Sequence, residues 1–256
     1  MLGQMTNPIL SPRQPIVRRV ADDTDVGIVV MYVGDEASAT ITVSAGGDIT
    51  FQHGDLASEA VDDTIDSGGD DSGVIDVSDS NADTMGEVVD LINASANWSA
   101  YLKDALRADS SNNSTGSIKE LAEVTVVPNV TETDLVMDTS KMLTLSIRVG
   151  SRDQVNGTEE HSAAEVTRVI SKNTFGSGTS KIQVYKVNEL KKEETKIFER
   201  DGAATTVEQD ITDLINSVGG GGIAVGKTGE HLIVRMIGSA ACTGHLQEVG
   251  SVARGS

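Results

Sequence analysis

Val26-Gly27-Ile28-Val29-Val30-Met31-Tyr32-Val33, followed by Ala39-Thr40-Ile41-Thr42-Val43 and Asp48-Ile49-Thr50-Phe51, is the stretch that decides the fold class. β-Branched and aromatic residues dominate it, and Gly34 and Gly46-Gly47-Asp48 punctuate it, as turns punctuate strands. In the middle run Ala39, Ile41 and Val43 fall on one face while Thr40 and Thr42 fall on the other. That period of two is the mark of a half-solvated antiparallel strand. The expected fold class is mainly β.

Downstream, residues 55–83 are dense in Asp, Ser and Gly around one short strand candidate, Gly73 to Val77. The period then changes. Thr84-Met85-Gly86-Glu87 has capping-box form, and Val88, Val89, Leu91, Ile92 and Ala96 continue at helical spacing, so a helix is predicted near 85–95. Trp98 to Lys103 alternates again and reads as a strand, with a helix running on through Ala108 as the alternative. The second half repeats the scheme. Met142 to Val149, Ala164 to Ile170, Lys181 to Val187, Thr195 to Phe198 and His231 to Ile237 are strand candidates. Between the last two, Thr205-Thr206 with Glu208 and Gln209 predicts a second capped helix near 206–217. Both predicted helices contain the same four letters, Asp90-Leu91-Ile92-Asn93 and Asp213-Leu214-Ile215-Asn216. The expected architecture is therefore two β-sandwich-like halves, 21–135 and 136–256, each with one capped α-helix. An extended N-terminal arm at 1–20 precedes them, carrying Pro8, Pro12 and Pro15 with the basic cluster Arg13, Arg18 and Arg19.

Composition narrows the function classes. The chain has 256 residues, 38% of them apolar but only 3% aromatic, so its core must be built from aliphatic side chains and Met. Its formal charge is -19, with 39 acidic residues against 20 basic ones. Affinity for nucleic acid comes mainly from Lys and Arg neutralising phosphates, so direct nucleic-acid recognition is not expected. The single cysteine, Cys242, cannot form an intramolecular disulfide and reads as a structural thiol. No apolar run has the length of a membrane span or of a signal-peptide core, which leads us to expect cytosolic synthesis and no membrane partner.

The motifs that suggest chemistry have blander explanations. Gly221 to Thr228 matches the phosphate-cradling pattern G-x-x-x-x-G-K-[ST], yet such a loop needs a strand before it and a helix after it. Here the predicted order is reversed, so the glycines read as a flexible connection and no cofactor is expected. The acidic segment offers Asp70, Asp71, Asp76 and Asp79 as weak Ca²⁺ candidates, since hard cations take carboxylate and carbonyl oxygens. It has no EF-hand register and no stacked repeat, and a solvated loop explains it as well. His53, His161, His231 and His245 are scattered without metal-ligand spacing. No nucleophile, base and orienting acid can be assembled from local spacing, so no catalytic residue is assigned and no enzymatic activity is expected.

Ala39 to Val43, Gly47 to Phe51, Gly73 to Ser78, Thr84 to Ser95 through Trp98, and Leu106-Arg107-Ala108-Asp109 together resemble virion structural proteins of tailed bacteriophages. The shared features are a β hairpin, an acidic Gly-containing loop, the strand end Val74-Ile75-Asp76-Val77-Ser78 and the Thr84-x-Gly86-Glu87-Val88-Val89-Asp90 helix start. The second half carries no such resemblance. The resemblance implies a non-enzymatic particle component, a capsid cement or decoration protein or a tail-neck ring. It also implies partners that are copies of itself and other virion structural proteins, and location in the virion after synthesis in the host cytoplasm. The arm is then expected to clamp neighbouring acidic subunits. The alternative expectation is a receptor- or glycan-binding surface module, against which the scarcity of aromatic residues counts.

Overall fold

The computed structural model describes residues 17–20, 25–55, 58–68, 73–112, 118–126, 132–137, 142–147, 163–172, 180–202, 208–210, 230–238 and 245–254. The first part of the chain contains β1 (Val17–Val20), β2 (Val26–Tyr32), β3 (Ser38–Val43), β4 (Ile49–Gly54), β5 (Ala60–Val61), β6 (Val74–Ile75), the helix α1 (Met85–Ala94), β7 (Trp98–Leu102), β8 (Leu121–Thr125) and β9 (Thr133–Val136). The remainder contains β10 (Met142–Ile147), β11 (Ala163–Lys172), β12 (Ser180–Asn188), β13 (Glu193–Gly202), β14 (Glu208–Asp210), β15 (Glu230–Gly238) and β16 (His245–Arg254). The fold is mainly β, the sheets are antiparallel, and α1 is the only helix among the described residues.

In one sheet β2 lies between β7 and β9. Both of its edges are paired and it is covered by the core, which is why Val26, Ile28, Val29 and Val30 are all buried and the run is continuously apolar. A second sheet has the order β5-β4-β3-β8, with β6 added to β4. Here the alternation holds: Ala39, Ile41 and Val43 are buried while Thr42 is half-buried, and Thr40 is covered and donates to Gln52 Oε1 at 3.3 Å. These two sheets share one core with α1. At its centre Trp98 of β7 meets Phe51 of β4 edge-on at 4.9 Å and Tyr32 of β2 at 5.0 Å. Three of the seven aromatic side chains are thus placed together, where large area is buried by few residues.

Helix α1 begins as its residues dictate. Thr84 Oγ1 accepts from the Glu87 N–H, and Glu87 Oε2 accepts from the Thr84 N–H at 3.1 Å. Met85, Val88, Val89 and Ile92 form the buried stripe, laid against β7 and β2. The strand reading of Trp98 onward holds: β7 follows α1 directly, and the side chain of Asn93 on α1 bonds both the N–H and the C=O of Ala100 at 2.9 Å.

The later strands make two further sheets, β10-β15-β12-β13 and β1-β16-β11-β14. In the former, β15 is central and Leu232, Ile233, Val234 and Met236 are buried. The latter differs from expectation at two places. Glu208–Asp210 falls inside the helix predicted near 206–217, yet it is a strand, paired with Lys172, Ser171 and Ile170 of β11. A ladder to a distant strand there overrides the local capping signal, as tertiary context commonly overrides propensity. The rest of that predicted helix and the Gly221 to Thr228 run lie outside the described residues. At the other end, Val17–Val20, read as part of the arm, is an edge strand paired with His245 to Glu248. Among the described residues no helix is long and apolar enough to cross a membrane.

Candidate functional site

Functional groups concentrate where α1 and the segment after β7 meet the β12–β13 hairpin and β15. The segment 103–112 is pinned first by its backbone: the Lys103 and Asp104 N–H groups bond Gly27 and Val26 carbonyls at 3.0 and 2.9 Å. It then crosses the start of α1, where the N–H groups of Met85 and Gly86 donate to the Asp109 and Arg107 carbonyls at 2.8 and 2.9 Å. These are helix-start donors that the helix itself cannot satisfy, and the segment satisfies them.

Its side chains carry charge across to the second group of strands. Asp109 accepts the Leu106 N–H at 2.7 Å and receives both terminal nitrogens of Arg235 on β15, each at 2.6 Å. The Arg235 side chain is 3% exposed and that of Asp109 16%, so this bidentate pair is buried at its arginine end and half-buried at the carboxylate. Arg107 donates its backbone N–H to Glu194 Oε1 of β13 at 2.5 Å and its guanidinium to Asp90 Oδ2 of α1 at 2.6 Å. Lys192, at the hairpin tip, reaches the other Asp90 oxygen at 2.7 Å. Burial pushes the Asp90 carboxyl up, but the hydrogen bonds and charges of Lys192 and Arg107 outweigh it and hold the group below the usual range. Glu194 goes the other way: burial raises its carboxyl, and the N–H groups of Arg107 and Ala108 offset this only in part.

Beneath the Asp90–Lys192 pair lies a cleft of about 330 Å³. Val89, Ala94, Ala100, Leu102, Ala105 and Val187 give it an apolar floor, and Asp90, Arg107, Glu189, Lys192, Glu193 and Glu194 line it with charge. His231 closes one side, buried, with Nδ1 3.6 Å from Glu189 Oε1. Asp90 is paired with both Arg107 and Lys192 across the junction, so the arrangement is suited to holding two surfaces together.

A second polar cluster is buried at the other end of α1. Asp62 accepts from the backbone N–H and hydroxyl of Thr64, from Ser95 Oγ at 2.8 Å and from Asn97, with His53 Nε2 at 3.4 Å. Burial raises the Asp62 carboxyl, and the combined hydrogen bonds of Thr64, Ser95 and Asn97 bring it below its ordinary value. His, Asp and Ser meet here in the wrong order for nucleophilic catalysis. Ser95 gives its proton to the carboxylate and accepts from the Asn97 N–H, so its hydroxyl is not presented to the imidazole. The cluster ties β4, the turn after β5 and the C-terminal end of α1 together.

Of the Ca²⁺ candidates, Asp70 and Asp71 lie outside the described residues. Asp76 Oδ1 is taken by the N–H and hydroxyl of Ser78 at 2.8 and 2.6 Å, and Asp79 Oδ2 by Ser67 Oγ at 3.0 Å. These acids shape their own turns, and no group of three or more metal-ligating side chains occurs among the described residues. Of the arm, Arg18 and Arg19 occupy β1, opposite Gln247 and Leu246, while Pro8, Pro12, Arg13 and Pro15 lie outside the described residues. Sequence reasoning did not find the junction. Asp109 and Arg235 are 126 residues apart, and nothing local marks either. The one legible hint was an aspartate, Asp90, set beside apolar positions of an amphipathic helix.

Comparison with protein-family models, with curated proteins and with solved structures returns no match to this chain.

Proposed function

We propose that this chain is a structural subunit of a tailed-bacteriophage particle, part of the head, neck or tail, and that it acts by protein–protein association without catalysis or cofactor. In this reading the sheets stack as two sandwich-like halves, and the partners are further copies and other virion proteins. The chain is made in the host cytoplasm and resides in the virion. The observation that carries the reading is how its reactive side chains are used. Asp62, Asp79, Asp90, Asp109, Glu194, Arg107 and Arg235 each hold another part of the fold, and Asp76 fixes its own turn. Ionisable groups committed in this way make rigid building blocks and leave little for bond-making chemistry.

The glycan-binding alternative loses ground on the same basis. A sugar platform needs exposed aromatic faces, and Trp98, Phe51 and Tyr32 are stacked in the core while Tyr101, Tyr185 and Phe198 are half-buried. The test is to purify the full chain alone and follow it by sedimentation velocity and negative-stain electron microscopy. Cyclic oligomers of one fixed symmetry are expected. A chain that stays monomeric at every concentration would overturn the proposal, and glycan binding in an array screen would favour the alternative.

A further inference from the structure

The ladder between β1 and β16 carries a second inference. β1 has four residues and β16 has ten, and their register runs from Val17 opposite Glu248 to Val20 opposite His245. β1 is an edge strand held by β16, with lesser contact to β10. Four ladder positions on one edge give the low local stability typical of segments that open without global unfolding. Beyond Glu248, no strand among the described residues pairs with β16 on the β1 side.

Chain connectivity sets what an opened β1 can do. Asp25 is fixed, its carbonyl accepting the Met137 N–H at 2.9 Å, and four residues, 21–24, separate it from β1. Fully extended, that link reaches about 17 Å. Exchange of such an element between copies costs little, because the ladder formed with a neighbour is identical to the one formed within the chain. Charge favours the same outcome. The first 20 residues hold three arginines and no acid on a chain whose net charge is -19, so an opened segment is drawn to another copy as it is to its own and offsets part of the repulsion between the bodies.

We propose that β1 is an exchangeable strand: in the assembled protein Val17–Val20 of one copy pairs with His245–Glu248 of β16 in the next. The partner is a second copy of this chain, placed so that its β16 lies within reach of the 21–24 link. This rests on the assembly reading above and names the contact by which assembly occurs.

Disulfide trapping in the full-length chain tests it. In a Cys242→Ser background, Val20→Cys is combined with His245→Cys, and separately Val17→Cys with Glu248→Cys. Residues 17 and 20 are three apart, so one pair is hydrogen-bonded and the other is not, which covers both cross-strand separations. Oxidation at concentrations where sedimentation shows oligomers should give covalent dimers and higher multimers on a non-reducing denaturing gel. Oxidation after dilution to monomer should give mainly internally linked chains. Oligomers that yield only internal disulfides at every concentration overturn strand exchange and leave association standing. A monomer with internal disulfides overturns both. Free thiols in both variants overturn the β1–β16 pairing itself and the exchange with it.

Discussion

At Gly86 an added β-carbon would lie 2.8 Å from Arg107 Cβ and 3.0 Å from the Arg107 carbonyl oxygen. Alanine ordinarily gains helix propensity over glycine, but here it would push away the backbone that accepts the Gly86 N–H. We expect Gly86→Ala to destabilise the protein by about 1–3 kcal/mol, the range for overpacking a close contact, read as a lower urea midpoint. Asp62 makes a different residue-scale prediction. Its folded carboxyl titrates below the ordinary value of 3.8, so the stability it contributes is present above that pH and is lost as pH falls through the folded value. Asp62→Asn should therefore cost about 1–3 kcal/mol near neutrality, because Ser95 and Thr64 lose a charged acceptor. That difference from wild type should shrink below about pH 3.8, and a constant difference across acid titration by urea denaturation would show that charge is not the cause.

Among the elements, the β12–β13 hairpin shows local strain retained for a contact. Lys192 has φ of 56°, a left-handed conformation that residues with a β-carbon avoid, while its ammonium reaches Asp90 at 2.7 Å. Comparing Lys192→Gly with Lys192→Ala separates the two, since both lose the ammonium and differ in backbone cost. Glycine should be the more stable by about 1 kcal/mol, measured by thermal or urea unfolding. At this scale sequence reading worked where signals are local. The apolar run of β2, the alternation of β3 and the capping box of α1 are each written within ten residues. It missed β8 and β9, whose short runs carry exposed Glu123 and Asp134 and look like loops. It also read Glu208–Asp210 as helix, because the β11 partner that makes it a strand is nearly 40 positions away.

For the molecule as a whole, the segment 103–112 joins the two groups of strands through Asp109–Arg235, Arg107–Glu194 and Asp90 with its two cations. Asp109→Asn should cost about 3–5 kcal/mol, because the Arg235 guanidinium stays buried without its counter-charge, and Arg235→Met should cost less, because Asp109 is partly exposed. Replacing both with apolar residues of similar volume, Asp109→Leu with Arg235→Met, should recover most of that loss, and a double-mutant cycle in urea reads the coupling. If the double variant loses as much as the two single variants summed, the pair does not act as a unit. What the sequence by itself determined is the mainly β class, the helix start at Thr84 and the acidic balance of the chain, because period, capping and charge are properties of neighbouring residues. Only the tertiary structure decided that β1 pairs with β16 and that Asp109 finds Arg235. Such pairings depend on which surfaces meet after collapse, and contacts between residues so far apart leave no local pattern to read.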